Sequence, residues 1–598
     1  MSGPETPGRE PRAIVELRQK RCVNRYGVAP CTASGGPKCY NTYSTCQDLQ
    51  NYDGSGSISW MLTEDTVHDD LFGDFSDPDN IRTNGIPCVR SVSTASARIN
   101  PGANRDGESP FGVTGKETIR VVDIPWDDHV GDHYLADRPG YVAGAMLPIR
   151  GGFWRLFNAR NDFLVDIEVS IYEGYQGEAL AAMRRRDSVL ENIDGPSFDG
   201  SATLTAVDPL KRLNDDKTQY PPASTLELAV DISAAQTSGI QVFGSEDDLT
   251  KVLGNDGVRA VVIDREFIAF TGYTSDGDSF YTLTGVTRGA YDSAPDEHTA
   301  GDSVQRTARF LNITPWEALS TILTFETAIP TSYIPSAEWE AEYSLYFPTT
   351  RFSRILTEPV GRRDLAGQIS QQGLLYVWWE PYDREIKLLT VRPPSGAVAT
   401  LDDDTNILDG LELTAAHEDR ITRVIVYYDP RDVFAGDEKS NFARRYTVID
   451  DDTEGAGVTP VIKEIYARWI TSRAQAVQIA VRLLIRYRAT PRFLSIRVDA
   501  KDREIRIGDI TDIMSSYLLD TEGNRLAGRW QVIAESEVQA GHVYALDLQT
   551  YTYVGKFGYY MADGSPDYAD ATAEEREAGG WYADAAGEID GDEGYQYQ

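Results

Sequence analysis

Residues 493–550 read FLSIRVDAKDREIRIGDITDIMSSYLLDTEGNRLAGRWQVIAESEVQAGHVYALDLQT. Four apolar-rich runs, Phe493–Asp499, Asp509–Met514, Trp530–Ser536 and Val543–Thr550, are separated by polar stretches rich in Asp, Glu and Gly. Short apolar runs between turn-forming residues are strand signals, so this end of the chain is predicted to be all β. The same style begins near residue 90, with expected strands at Thr118–Asp123, Asp166–Tyr172 and Ala202–Val207. It returns in Val261–Thr271 and Ser279–Thr284, which flank the turn Ser275-Asp276-Gly277-Asp278.

Helices are fewer and well marked. Thr314 is an expected N-cap, with Pro315 at the first helical position and Glu317 at the third, a capping box. Leu319, Ile322 and Leu323 then fall on one face. A short helix over Asp364–Gln372 is expected to stop at Gly373 and lead into a hairpin of Leu374–Glu380 and Glu385–Val391. After a strand at Arg420–Tyr428 comes the longest expected helix, Ser472–Arg488, closed by Pro491. No repeat of about 20–50 residues is visible, which argues against solenoids and propellers. The fold class is therefore β-rich α+β with several domains.

The chain has 598 residues, 41% hydrophobic and 10% aromatic, enough for several real cores. Its formal net charge is −36, from 57 Lys plus Arg against 93 Asp plus Glu. That balance argues against a protein that grips nucleic acid through phosphates, and against an anionic membrane surface. No run of about 18 apolar residues is present, so no membrane-spanning helix is expected. The first residues lack the apolar core of a signal peptide, so synthesis and folding in a cytosol, without disulfides, are expected.

The expected organisation is an N-terminal arm at 1–20, a cysteine-rich segment at 21–90 and a β-rich domain at 91–250. A β insertion at 251–310, a mixed α/β domain at 311–420 and a β-rich domain with the long helix at 421–556 follow. An acidic Tyr- and Gly-rich segment, 557–598, ends the chain.

All five cysteines fall in the first 88 residues. Cys22, Cys31, Cys39 and Cys46 are spaced by eight, seven and six residues, and Cys88 follows 41 residues later. Residues 21–60 are too polar to build a core, so a bound metal or a neighbouring chain must order them. Zinc held by four thiolates usually uses paired Cys-x2–4-Cys knuckles, which are absent. An iron–sulfur cluster needs four thiolates converging from loops and benefits from backbone N–H groups such as those near Gly35 and Gly36. Spacing alone leaves iron–sulfur, zinc and no metal open.

The phrases Cys22-Val-Asn-Arg-Tyr-Gly-Val-Ala-Pro-Cys31, Lys38-Cys39-Tyr40-Asn41-Thr42 and Thr45-Cys46-Gln47-Asp48 resemble the cysteine motif of hub proteins at the tail tip of long-tailed bacteriophages. Further phrases extend the resemblance along most of the chain. They are Ala206-Val207-Asp208-Pro209-Leu210-Lys211, Thr284-Gly285-Val286-Thr287-Arg288-Gly289 with Glu297-His298 and Ala300-Gly301, the Gly373–Arg392 hairpin, and Phe557-Gly558-Tyr559 with Asp567-Tyr568. The resemblance implies tube-like β-barrel hub domains with inserted mixed α/β domains. It implies a structural [4Fe–4S] cluster on Cys22, Cys31, Cys39 and Cys46, with zinc as the alternative, and leaves Cys88 a core thiol or a substitute ligand. It also implies a homotrimer in the virion, at the distal end of the tail, assembled in the host cytoplasm. Expected partners are the distal tail protein, the tape measure protein and tail fibres or spikes, with DNA only in passage.

No Gly-x-Ser-x-Gly, Walker or GxGxxG text is present, so no enzyme is expected. Two rivals stand beside the hub: a cytosolic iron–sulfur redox protein, and a receptor-binding adhesin using the Tyr-rich end. Residues 51–58 resemble half of a calcium loop, but Leu62 stands where the bidentate Glu belongs, so a turn is expected. His129 and His133 have the spacing of a helical zinc pair, but Pro125 and Gly131 favour a loop. Arg184-Arg185-Arg186 is expected to meet acidic neighbours or a partner, and Arg473, Arg482, Arg486 and Arg488 to lie on an outer helix face.

Overall fold

The computed structural model describes residues 5, 8–35, 39–64, 85–95, 97–100, 111–126, 151–164, 167–213, 218–327, 329–392, 396–519 and 522–551, with Thr572 and short strand pairs within 581–596. Strands dominate and divide among several sheets with separate cores, so the chain is a β-rich, multi-domain α+β protein. His129, His133, Gly36, Lys38 and the Phe557–Tyr568 phrases lie outside the described residues.

Three sheets roll up by the same device. The first has the strand order 86–87, 56–63, 11–21, 168–175, 184–194, 201–207, 116–122, 89–95. Its two edge strands, Ile86–Pro87 and Val89–Ala95, are consecutive in the chain with only Cys88 between them. Two residues reach at most about 7 Å, so the edges meet and the sheet closes as a barrel. Val15, Leu17, Trp60, Leu62, Val169, Ile171 and Leu204 fill it, together with Phe153, Trp154 and Phe157 from the helix Phe153–Arg160. In the second, edge strands Glu266–Phe270 and Gly272–Gly277 are joined through Thr271 alone. In the third, the edges Ala399–Asp402 and Ile407–Ala415 are separated by residues 403–406. The third sheet holds the quoted strands, now Arg492–Asp499, Ile510–Leu519, Arg525–Gln539 and Val543–Thr550.

Between the barrels lies the largest core. The helices Pro315–Thr324, Ser336–Tyr346, Arg362–Gly373 and Arg473–Tyr487 pack with the hairpin Leu375–Glu380/Glu385–Thr390 and the sheet of 423–430, 442–449 and 462–467. The Thr314 capping box forms as expected.

Four expectations change. Residues 11–20 are no arm: Pro11–Arg21 is an inner strand, paired with 56–63 and 168–175, because Ile14, Val15 and Leu17 supply buried aliphatics. Val261–Thr271 is two strands, since Asp264 takes a left-handed φ of 54° and turns Arg259–Ile263 back onto Glu266–Phe270. The short helix runs on through Gly373, and Leu374 rather than glycine adopts the left-handed cap, with φ 54°, held by complete burial of its side chain. Arg482 and Arg486 are buried, not on an outer face. Arg482 donates to the Val391 and Tyr346 carbonyls at 3.0 and 3.1 Å, and Arg486 to the Thr550 carbonyl at 2.8 Å. A guanidinium that satisfies otherwise orphaned carbonyls is tolerated inside a core.

The basic run behaves as expected. Arg186 ion-pairs with Glu117 and Glu173, and Arg184 with Glu535 across the first and third barrels. No helix among the described residues is long and apolar enough to cross a membrane.

Candidate functional site

Residues 22–55 form a long loop between two neighbouring strands of the first barrel, whose pairing ends at Arg21 and Gly56. The loop contains two short 3-10 turns, Tyr43–Thr45 and Leu49–Asn51, neither with a buried residue. Its described buried residues are Ala33, Asn41 and Thr42, while Val23, Val28, Tyr43 and Leu49 are exposed. So little apolar burial cannot offset the entropy of fixing the backbone.

Polar contacts set the path instead. Cys22 N–H donates to the Asn41 carbonyl at 2.8 Å, and Asn41 Nδ2 returns a bond to the Cys22 carbonyl at 2.8 Å. Asp48 accepts from Thr32 N–H and Oγ1 at 2.6 and 2.9 Å, and these bonds lower its carboxyl pKa. The loop is tied to the barrel's helix: Thr42 Oγ1 donates to the Arg160 carbonyl at 2.7 Å, and the Arg160 guanidinium sits 3.8 Å over the Tyr40 ring. Within residues 51–58 the chain turns at Gly54 and Ser55, with Ser55 N–H on Asp53 Oδ1 at 3.0 Å, and enters the strand at Gly56.

This path gathers the four cysteines. Cys22, Cys31, Cys39 and Cys46 are each partly exposed. Burial raises the Cys39 pKa, and Cys46, Cys22 and Cys31 are close enough to raise it further. The Cys46 thiol is raised by burial and by Cys22, Cys31 and Asp48, against the Asp48 N–H, which lowers it. Yet among the described residues no three cysteine sulfurs lie within 4.8 Å of one another. Backbone N–H groups face the sulfurs: Asn41 N–H to Cys39 Sγ at 3.4 Å, Asp48 N–H to Cys46 Sγ at 3.4 Å, and Asp53 N–H to Cys22 Sγ at 3.5 Å. Such donors stabilise thiolates. The Gly35 carbonyl, by contrast, accepts from Tyr26 OH at 2.6 Å. Of the residues that hold the loop, Tyr40, Asn41 and Thr42 stand in the sequence only as part of the Lys38–Thr42 phrase, and Arg160 carries no sequence signal.

Cys88 is separate. It lies at the barrel seam in the core beside Ile86 and Val89. Burial pushes its thiol up to about 12, and the charges acting on it are Arg90 and Asp123 rather than the other cysteines.

A cavity of about 470 Å³ on the third barrel is lined by Leu413, Arg492, Tyr517, Trp530 and Tyr551 among others. Its lining has no carboxylate, histidine or cysteine.

No family model matches the chain, and no curated protein matches it. Solved structures show a weak likeness. The tail protein from Neisseria meningitidis MC58 is 10% identical at a TM-score of 0.35, over 77% of this chain and 97% of its own. The 43 kDa tail protein of prophage MuSo2 from Shewanella oneidensis is 9% identical at a TM-score of 0.35, over 77% and 97%. A chain of the virion of a native gene transfer agent particle is 13% identical at a TM-score of 0.28, over 57% and 88%. Likeness at this level carries no argument about function.

Proposed function

We propose that this chain is a structural virion protein, the hub at the distal end of the tail tube of a long-tailed bacteriophage, and that Cys22, Cys31, Cys39 and Cys46 hold a [4Fe–4S] cluster. The observation that carries the reading is the gathering of four dispersed thiols on a loop with no apolar core, within phrases that resemble the hub motif. A single zinc ion with Zn–S bonds of about 2.3 Å would need its sulfurs about 3.8 Å apart. Backbone N–H donors face three of the four sulfurs, as the thiolate ligands of a cluster require. When bound, the cluster supplies the cross-link that the side chains of residues 22–55 do not, and its role is structural.

In this reading three copies form a ring whose rolled barrels close the tail tube. The ring engages the distal tail and tape measure proteins, carries fibres or spikes, and opens for DNA. The −36 charge suits a conduit, since an acidic wall repels phosphates.

Two measurements test the proposal. Protein purified without oxygen should be brown, with about four irons per chain; a colourless sample with one zinc per chain would replace the cluster by zinc. Immunogold labelling of particles should mark the far end of the tail. Label confined to the head, or absent from purified particles, would remove the hub.

A further inference from the structure

The second barrel contains another set of metal-ligating side chains, far in sequence from the cysteines. His298 is 4% exposed, and its Nε2 lies 2.9 Å from Glu266 Oε2. Every other partner of Glu266 is a donor: the Arg288 guanidinium grips both oxygens, and the Gly289 and Asp296 N–H groups donate at 3.1 and 3.0 Å. Glu266 is therefore an acceptor, and the imidazole proton belongs on Nε2. Nδ1 is left with a bare lone pair. That atom is buried and makes no hydrogen bond.

Nδ1 faces carboxylates. Asp264 Oδ2 is 3.4 Å away, and a carboxylate oxygen each of Asp264 and Asp302 and a ring nitrogen of His298 lie within 4.8 Å of one another. Arg288 neutralises Glu266, so two negative charges face a lone pair with no donor among them. That arrangement is unfavourable unless a positive charge sits in it. The 3.4 Å between Nδ1 and Asp264 Oδ2 suits two ligands of one ion, since bonds of about 2.1 Å in tetrahedral array place ligand atoms about 3.4 Å apart.

The three groups are fixed independently. Asp264 occupies the left-handed tip of the 259–270 hairpin. His298 exchanges backbone bonds with Ile232 at 3.0 and 2.9 Å, and Leu228 N–H holds the Asp302 carbonyl at 2.8 Å. Asp302 also accepts from Thr299 N–H and Oγ1, which leaves lone pairs on both oxygens. Arg288 reaches the Ser233, Gln236 and Asp296 carbonyls as well, so the outer support of the imidazole is itself held on several sides.

We propose that Asp264, His298 through Nδ1, and Asp302 bind a divalent first-row cation, with Glu266 orienting the imidazole from outside. An imidazole with two carboxylates suits Mn²⁺, Fe²⁺ or Zn²⁺, with water completing the shell. The ion would fasten the 259–270 hairpin tip to the 298–302 segment. The rival occupant is a proton on Nδ1, paired with Asp264.

Mn²⁺ is the probe, because thiolates compete poorly for it and the cysteine site stays silent. Metal-free full-length protein is titrated with Mn²⁺ while free ion is followed by electron paramagnetic resonance. One site per chain should stand clear of weak surface binding. Asp264→Asn and Asp302→Asn should each weaken it at least tenfold, and Cys39→Ser should leave it unchanged. Asp264 is exposed, so its variant serves as the folding control, checked by an unaltered thermal transition without metal. Equal Mn²⁺ affinity in wild type and both variants overturns the proposal. So does the absence of a saturable site, or loss of the site in Cys39→Ser with retention in Asp302→Asn.

Discussion

Asp208 ends the strand Ser201–Val207 in a fully buried position and uses its carboxylate to cap the following turn, accepting from Leu210 N–H at 2.7 Å. Burial outweighs that bond and lifts its carboxyl to about 7. A carboxyl raised by folding binds more protons in the folded chain than in the unfolded one between about pH 4 and 7, so its contribution falls as pH rises through that window. Asp208→Asn keeps the cap without the charge. It should melt a few degrees above wild type at pH 8 and level with it at pH 4; a variant less stable at pH 8 would contradict the burial argument. At the cysteines, Cys39→Ser should make residues 22–55 the first site of limited proteolysis while the barrel core stays protected. Uniform resistance in that variant would mean the loop is ordered without the four thiols. The cysteine set was legible because rare residues in a polar stretch stand out by spacing. His298 was visible only as part of a phrase, because its meeting with Asp264 and Asp302 depends on how a barrel closes.

Among elements, helix starts were the most readable, since a cap is a local contract among neighbouring residues. Thr314→Ala removes the hydroxyl that accepts from Glu317 N–H, leaves the backbone N–H that donates to the Glu317 carboxylate, and should cost about 1 kcal/mol in a denaturant titration. The long helix shows the opposite case. The expected Ser472–Arg488 differs by one residue at each end from the helix Arg473–Tyr487, but nothing local tells that Arg482 points inward at the Tyr346 and Val391 carbonyls. Arg482→Leu leaves those carbonyls without donors and should cost about 2–3 kcal/mol. A neutral outcome would show that water replaces the guanidinium. The helix Ser336–Tyr346 escaped detection because acids interrupt its apolar residues. Trp339, Tyr343 and Tyr346 bury one side only once the Glu385–Thr390 strand is in place, with Trp339 Nε1 donating to the Ile386 carbonyl at 2.8 Å.

For the molecule as a whole, β-richness and the multiplicity of domains could be read from strand-like runs, whereas the assignment of strands to barrels could not. Residues 11–21 look like a tail by composition, yet they are an inner strand of the first barrel. Deleting residues 1–21 should therefore abolish soluble, cooperatively melting protein, where loss of a true arm would be silent in thermal unfolding.

The first and third barrels are also stitched together. Arg9 pairs with Asp499 at 2.8 Å, Ala97–Arg98 adds to the strand Arg525–Gln539, and Tyr175 OH donates to the Gly541 carbonyl across 366 residues. A ribosome delivers these partners hundreds of residues apart. The first barrel can roll up once residue 207 has emerged, but its contacts to the third barrel stay unmade until residues 499–541 are translated. Long-range pairing of this kind is slow and leaves surface open to strangers while it waits. The closing contacts thus act as a completion check: only a chain translated through its third barrel covers the outer surface of its first.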